Sequence, residues 1–170
     1  MNRLSDVKLS IFLDTEASSL TGKSYPIEIA WNVPSGEIEC YLISPYLYPR
    51  EYDDWSPGAQ AAHGLSREFL MKNGEAPIYV AERMNNALSN QKVYTNAPDF
   101  DGFWIRRLFN AVDINMSIQF MDTKLLFNYF CSDPSLIKVA ARKRAGGIHR
   151  ATFDVKYLIE MYRLCIGYGK

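Results

Sequence analysis

The 170-residue chain is poor in histidine and cysteine and carries no net charge. It contains two histidines, His63 and His149, which nearly excludes a mechanism that needs several imidazoles. The three cysteines, Cys40, Cys131 and Cys165, are odd in number and widely spaced among apolar neighbours. This pattern favours reduced thiols in a core over a disulfide framework or a zinc site.

Charge of one sign and long apolar runs are also missing. The 19 Lys and Arg residues balance the 19 Asp and Glu residues, so the overall field of the protein cannot hold a polyanion. A nucleic acid, if bound, would need a local site. No run approaches the roughly 18 apolar residues of a membrane span, and the first six residues lack a signal peptide's apolar stretch. We therefore expect a soluble cytoplasmic protein that binds no membrane.

Length and composition indicate one globular domain over residues 1–170. Apolar residues make up 48% of the chain, charged residues 22% and aromatic residues 14%. These values argue against disorder, collagen and coiled coil. A chain of this length buries well over half of the surface that its unfolded form exposes, so one core is the default.

Hydrophobic periodicity predicts an α/β fold. The strands that it predicts are 9–13, 27–31, 37–43, 92–95 and 118–121. The helices that it predicts are 57–62, 77–88, 100–109, 123–130, 134–144 and 151–166. This order predicts a mixed five-stranded sheet with helices on both faces. Sites in such sheets gather at strand ends, where Asp14, Asn96 and Asp122 lie.

Asp14 and Glu16 stand two residues apart at the end of the first predicted strand. If the strand continues through Thr15, both carboxylates project from the same face of the sheet. If Asp14 instead begins a loop, Glu16 is a solvated side chain. The sequence leaves both alternatives open.

Asp154 lies at the edge of the buried stripe of the last predicted helix. A carboxylate in that place caps the helix, meets a cation or binds a metal ion. His149 precedes it by five residues, a spacing that on one helix would point the two side chains about 140° apart. In the lead-in after Gly146 and Gly147, His149 could instead swing over the site as a general base, with a solvated surface histidine as the alternative.

Asp99 and Asp101 flank Phe100 at a predicted helix start, where the helix dipole favours negative charge. Because they are two residues apart, only one of them can face inward. Helix capping explains one acidic residue there without any chemistry.

Taken together, the motifs resemble those of the DnaQ-like branch of the DEDD 3′–5′ exonucleases, the family of polymerase III proofreading subunits, RNase T and oligoribonuclease. Residues 13–20 (LDTEASSL) resemble the first exonuclease motif, and residues 27–30 (IEIA) resemble the segment that follows it. Residues 63–70 (HGLSREFL) are similar to a stretch of the proofreading subunits, and residues 96–104 (NAPDFDGFW) to the second motif. Residues 149–154 (HRATFD) fit the third motif of the histidine subclass, called DEDDh.

The resemblance implies a ribonuclease H-like three-layer fold and a two-metal site. It implies that Asp14, Glu16, Asp101 and Asp154 hold two Mg²⁺ or Mn²⁺ ions, with His149 activating the attacking water. Such cations would compensate carboxylates that repel one another, and oxygen ligands suit Mg²⁺ better than zinc.

The choice of Asp101 as the second-motif ligand requires one extra residue after Asn96. Without that insertion, Phe100 would fall on the metal-ligand position. Asp99 is the alternative ligand.

The resemblance also implies substrate contacts. The backbone near Ala17 and Ser18 would meet the terminal sugar hydroxyl, Leu20 would pack on the last base, and Asn96 opens the second motif. A basic cluster, Lys138, Arg142, Lys143 and Arg144, offers phosphate contacts or else stabilises a helix C-terminus. Glu28 is expected to have a structural role, and His63 no catalytic one.

These observations predict a metal-dependent 3′–5′ exonuclease that acts on single-stranded RNA or DNA with a free 3′ end and releases nucleoside 5′-monophosphates. The first alternative is a catalytically impaired nucleic-acid-binding module on the same fold. The second is a metal-dependent endonuclease on a ribonuclease H-like frame. The sequence also leaves open whether the protein forms a homodimer.

Overall fold

Five strands form one mixed sheet in the computed structural model of the chain, which describes residues 9–147 and 149–168. The strands are β1 (Ile11–Ala17), β2 (Pro26–Asn32), β3 (Ile38–Leu42), β4 (Lys92–Thr95) and β5 (Gln119–Asp122). They lie side by side in the order β3-β2-β1-β4-β5. The first three form an antiparallel meander, whereas β4 and β5 run parallel to β1. The carboxyl ends of β1, β4 and β5 therefore share one edge of the sheet.

Seven helices follow or separate the strands in the described part of the chain. They are α1 (Pro57–His63), α2 (Arg67–Asn73), α3 (Pro77–Leu88), α4 (Pro98–Ala111), α5 (Thr123–Phe130), α6 (Lys138–Ala145) and α7 (Ala151–Tyr168). The described residues also form 3-10 turns at Pro45–Leu47 and Pro134–Ile137. None of these helices combines the length and apolar character that a bilayer crossing needs.

The two faces of the sheet carry separate apolar clusters. On one face, Leu13 of β1 packs in a cluster with residues of α3 and α4. On the other face, Phe12 packs in a cluster with residues of α5, α6 and α7. Because side chains alternate along a strand, Asp14 and Glu16 share the face of Phe12 and point toward α7.

The α/β fold with a five-stranded mixed sheet and helices on both faces is confirmed, and most of the elements were predicted. The strand 9–13 was predicted too short, since β1 continues to Ala17. No helix was predicted over α2, where the Ser66 hydroxyl accepts a hydrogen bond from the Phe69 amide and caps the helix. The segment 134–144 was predicted as one helix, but a 3-10 turn precedes α6.

The three cysteines are free thiols, as predicted. Only Cys165 is buried, and Cys131 is half-buried. The prediction of a core thiol is wrong for Cys40, which is exposed on β3. β3 is the edge strand of the sheet, so part of its surface stays open to solvent.

Candidate active site

Three carboxylates meet at the carboxyl end of the central strand. Oxygen atoms of Asp14, Glu16 and Asp154 all lie within 4.8 Å of one another. β1 continues through Thr15, so Asp14 and Glu16 project from the same face, and the loop alternative is wrong. Asp154 reaches the same place from the first turn of α7. The three oxygen donors form a group of the kind that binds divalent cations.

Asp101 borders this group from the first turn of α4. Its side chain is only 2% exposed, and its carboxylate accepts a hydrogen bond from the Thr95 hydroxyl. Burial raises the pKa of Asp101 to about 7, although the bond from Thr95 opposes the rise. Asp99, two residues earlier, is exposed. Of the two aspartates, the inward one is therefore Asp101.

Burial and neighbouring negative charges raise the pKa values of Asp14 and Glu16. Burial raises the pKa of Asp14 well above its ordinary value, and the charges of Asp101, Asp154, Glu16 and Glu28 add to the rise. Burial also raises the pKa of Glu16 to about 7, with further contributions from Asp154 and Glu28. Like charges this close ionise together only when cations compensate them. The chemistry of the donor set therefore fits a divalent metal site.

Among the described residues, Arg142 is the cation that pairs with a carboxylate of the cluster. Arg142 donates from Nη1 to Oδ1 of Asp154 at 2.7 Å and to the carbonyl of Gly147 at 3.1 Å. Its guanidinium carbon lies 3.9 Å from the centroid of the Tyr157 ring. The sequence left three roles open for Asp154: a helix cap, a partner of a cation or a metal ligand. The structure shows that Asp154 pairs with a cation. The other oxygen of Asp154 has no hydrogen-bond partner among the described residues.

An ion pair between the buried Glu28 and the partly exposed Arg150 fixes the start of α7. The Glu28 side chain is fully buried on β2 and accepts hydrogen bonds from Arg150 Nη2 at 2.6 Å and Nε at 3.0 Å. The same carboxylate accepts from the Ala151 amide at 3.0 Å. This agrees with the structural role expected for Glu28, because the contacts hold the first turn of α7, and with it Asp154, against the sheet.

His149 lies two residues before α7, in the lead-in that the sequence suggested. Its side chain is exposed, and its φ of 53° is in the left-handed region. No hydrogen bond joins it to Asp14, Glu16, Asp101 or Asp154 in the described structure. His149 thus lies near the anchored end of α7 without a hydrogen bond to the described carboxylates.

The segment after β1 is held in place by its own hydrogen bonds. The Ser18 amide donates to the carbonyl of Tyr25 at 2.9 Å, and the Ser18 carbonyl accepts from the Ser56 amide at 2.9 Å. Ala17 is buried at the end of β1. A carbonyl oxygen has two lone pairs, so the Ser18 carbonyl keeps one acceptor position.

Leu20 marks an apolar pocket beside this segment. It is 77% exposed and lines a cavity of about 280 Å³ together with Phe100, Phe103 and Trp104. The Trp104 indole donates to the Ser24 hydroxyl at 2.7 Å, which fixes the ring. Asn96 is exposed and lines a different cleft, on the α5 side.

Two polar contacts of the proposed metal ligands were not predicted from the sequence. These are the bond from Thr95 to Asp101 and the pairing of Arg142 with Asp154. Arg142 lies in a basic cluster before a glycine, a pattern that predicts a helix C-terminus. The pattern does not predict that Arg142 pairs with Asp154. His63 has no catalytic contact, since it is buried and its Nδ1 accepts from the Leu65 amide at 3.1 Å.

Comparisons with known proteins agree with the motifs and the fold. No protein-family model matches the chain. The chain is 26% identical over 148 residues to the DNA polymerase III subunit epsilon of Buchnera aphidicola subsp. Acyrthosiphon pisum, covering 82% of this chain and 55% of that protein. The chain thus spans about half the length of the curated relative that it matches.

Among solved structures, E. coli exonuclease I in complex with a dA16 oligonucleotide matches with a TM-score of 0.71 and 17% identity, covering 95% of this chain and 43% of that one. The zinc-bound form of the exonuclease I complex with single-stranded DNA matches with a TM-score of 0.69 and 17% identity, covering 95% and 42%. The resemblance to this group of exonucleases and the ribonuclease H-like fold are thereby confirmed.

Proposed function

We propose that the protein is a metal-dependent 3′–5′ exonuclease that releases nucleoside 5′-monophosphates from single-stranded RNA or DNA. The observation that carries the proposal is the convergence of Asp14, Glu16 and Asp154 within 4.8 Å, with the buried Asp101 beside them. Separate elements bring these groups together although their charges repel. The similarity to proteins named DNA polymerase III subunit epsilon and exonuclease I supports the same reaction.

The proposed metal ligands are Asp14, Glu16, Asp101 and Asp154, which would hold two Mg²⁺ or Mn²⁺ ions. Oxygen donors suit these ions, and no cysteine takes part in the described carboxylate group. When bound, the ions supply charge stabilisation for the attacking and leaving oxygens of the phosphodiester.

The protein's own groups would position the reactants and move the proton. His149 is the proposed general base, which takes a proton from the attacking water as in the DEDDh subclass. Its exposed place before α7 leaves it free to turn toward the carboxylates when substrate binds. Arg142 holds one oxygen of Asp154 and leaves the other for a cation.

The proposed substrate is a single strand with a free 3′ end. The terminal sugar hydroxyl would meet the backbone of Ala17 and Ser18, and the last base would pack on Leu20 in the apolar pocket. Asn96 would contact the strand on the other side of the carboxylates. A cytoplasmic location is part of this proposal and rests on the sequence alone.

A ladder assay tests the proposal. A 5′-labelled single-stranded oligonucleotide, offered as RNA and as DNA with Mg²⁺ or Mn²⁺, should shorten one nucleotide at a time from its 3′ end. Asp101→Asn should abolish the ladder, whereas the matched control Asp113→Asn, which changes an exposed carboxylate beyond the opposite end of α4, should keep it. Failure to release mononucleotides from any 3′-hydroxyl oligomer would refute the proposal, and internal fragments would indicate an endonuclease.

A further inference from the structure

A cleft of about 440 Å³ lies beyond the carboxyl ends of β4 and β5. Asn96 lines it directly after β4, which is the neighbour of β1 in the sheet. Because adjacent strands are about 4.8 Å apart, the cleft begins one strand away from Asp14. On its other side it is lined by Tyr157, whose ring stacks on Arg142, the partner of Asp154. The cleft thus opens beside the carboxylates.

The rim of the cleft has an excess of positive charge. Lys124 and Lys138 both line it and are exposed, and neither forms a salt bridge with any residue of 9–147 or 149–168. One acid, Asp133, is also present. Its carboxylate accepts hydrogen bonds from the hydroxyl and the amide of Ser135, which lower its pKa, so Asp133 stays ionised. Two cations against one anion leave one positive charge for an anionic ligand.

Neutral donors and an apolar floor complete the cleft. Asn128 and Asn96 add side-chain amides that can donate to phosphate oxygens. The deeper lining is apolar and consists of Phe127, Leu158 and Met161. Cations at the rim of an apolar groove are the arrangement that single-stranded nucleic acids need, since each nucleotide presents a phosphate and a base.

The apolar pocket at Leu20 has the opposite character. Its lining holds three aromatic side chains and no Lys or Arg, and its one charged residue is Asp99. The last nucleotide of a strand has a base but no phosphate on its 3′ side, so it suits the apolar pocket. The remainder of the strand adds one phosphate per nucleotide, so it suits the cationic cleft.

We propose that the cleft binds the phosphate on the 5′ side of the second nucleotide from the 3′ end, through Lys124 and Lys138. The inference rests on the proposed exonuclease function and adds a binding site and a direction to it. The strand would enter along α5, pass the carboxylates at its last phosphodiester and end in the apolar pocket. Affinity would then depend on a phosphate that takes no part in the hydrolysis.

A comparison of two dinucleotides measures the contribution of this phosphate to KM. One carries a free 5′-hydroxyl and has only the scissile phosphate, whereas the other carries a 5′-phosphate and is otherwise identical. Both are tested as deoxythymidine and as uridine forms with Mn²⁺. The proteins are the wild type, the double variant Lys124→Gln/Lys138→Gln, and the control Lys92→Gln, which removes an exposed lysine at the opposite end of β4.

The wild type and the control should show a lower KM for the 5′-phosphorylated dinucleotide, by about fivefold for each lysine that contacts the phosphate. The double variant should lose this preference and keep the KM of the 5′-hydroxyl dinucleotide within about twofold. For longer single strands, the dependence of log affinity on log salt should become shallower by about 0.7 for each lost contact.

Two results would overturn the inference alone. The first is that the wild type hydrolyses both dinucleotides with the same KM. The second is that the double variant raises the KM of both dinucleotides equally. If the wild type hydrolyses neither the dinucleotides nor longer oligomers, the exonuclease function is refuted, and this inference with it.

Discussion

Glu16 carries an electrostatic cost whenever the site is ionised without divalent cations. Burial and the charges of Asp154 and Glu28 raise its pKa from 4.5 to about 7. The folded state therefore holds the proton more tightly than the unfolded state. Between about pH 4.5 and pH 7 the folded state binds more protons, so the free energy of unfolding falls as the pH rises.

The size of this effect follows from the two pKa values. A difference between 4.5 and about 7, at 1.36 kcal/mol for each pKa unit, is at most about 3.4 kcal/mol. Solvent screening of the partly exposed carboxylate reduces it to roughly 1–2 kcal/mol. Glu16→Gln removes the charge and keeps the shape. At pH 8 without metal, the variant should therefore be more stable than the wild type by roughly 1–2 kcal/mol.

Urea unfolding in a metal chelator at pH 5 and pH 8 measures the effect. Most of the extra stability of Glu16→Gln should disappear at pH 5, because the Glu16 side chain of the folded wild type is protonated there. The control Glu37→Gln, at an exposed carboxylate in the turn before β3, should change stability equally at both pH values. Adding Mn²⁺ should make the wild type more stable than Glu16→Gln, because an ion at 100 times its Kd stabilises the wild type by about 2.7 kcal/mol. A Glu16→Gln protein that is no more stable than the wild type at pH 8 would refute the reasoning.

Three further predictions concern the groups around the carboxylates. Arg150→Ala should lower the free energy of unfolding by roughly 1–3 kcal/mol, because it removes the cation that compensates the charge of the fully buried Glu28. Chemical denaturation that shows no loss would contradict this role. His149→Ala should lower kcat by roughly 10²- to 10⁴-fold while the circular dichroism spectrum stays that of the wild type, and unchanged turnover would exclude His149 as the base. Leu20→Ala should raise KM about fivefold or more with little change in kcat, because the last base loses apolar packing, and an unchanged KM would place the last base elsewhere.

The sheet and most helices were predictable because their signals are local. Apolar alternation and the start signal at Ser56 and Pro57 depend on neighbouring residues, and each led to an element that the structure contains. The end of β1 was not predictable from the same signals. Acidic residues often end strands, and only the pairing with β2, of Thr15 with Ile29 and of Glu16 with Glu28, shows that the strand continues.

The convergence of the site depends on contacts between distant residues. Helix geometry predicts that only one of Asp99 and Asp101 can face inward. The packing of α4 decides that the inward residue is Asp101. The partners of Arg142 and Glu28 lie 12 and 122 residues away along the chain. No local pattern specifies such pairs, because they form only when α6, α7 and β2 pack together.

Isothermal titration of the protein with MnCl₂ tests the central claim most directly, since the proposed reaction requires the carboxylates to share divalent ions. Wild-type protein should bind two Mn²⁺ ions per chain, and Asp14→Asn should lose at least one of them while its fold persists. Wild-type protein that binds a single-stranded oligonucleotide but takes up no Mn²⁺, or an Asp14→Asn variant that binds Mn²⁺ as the wild type does, would contradict the account.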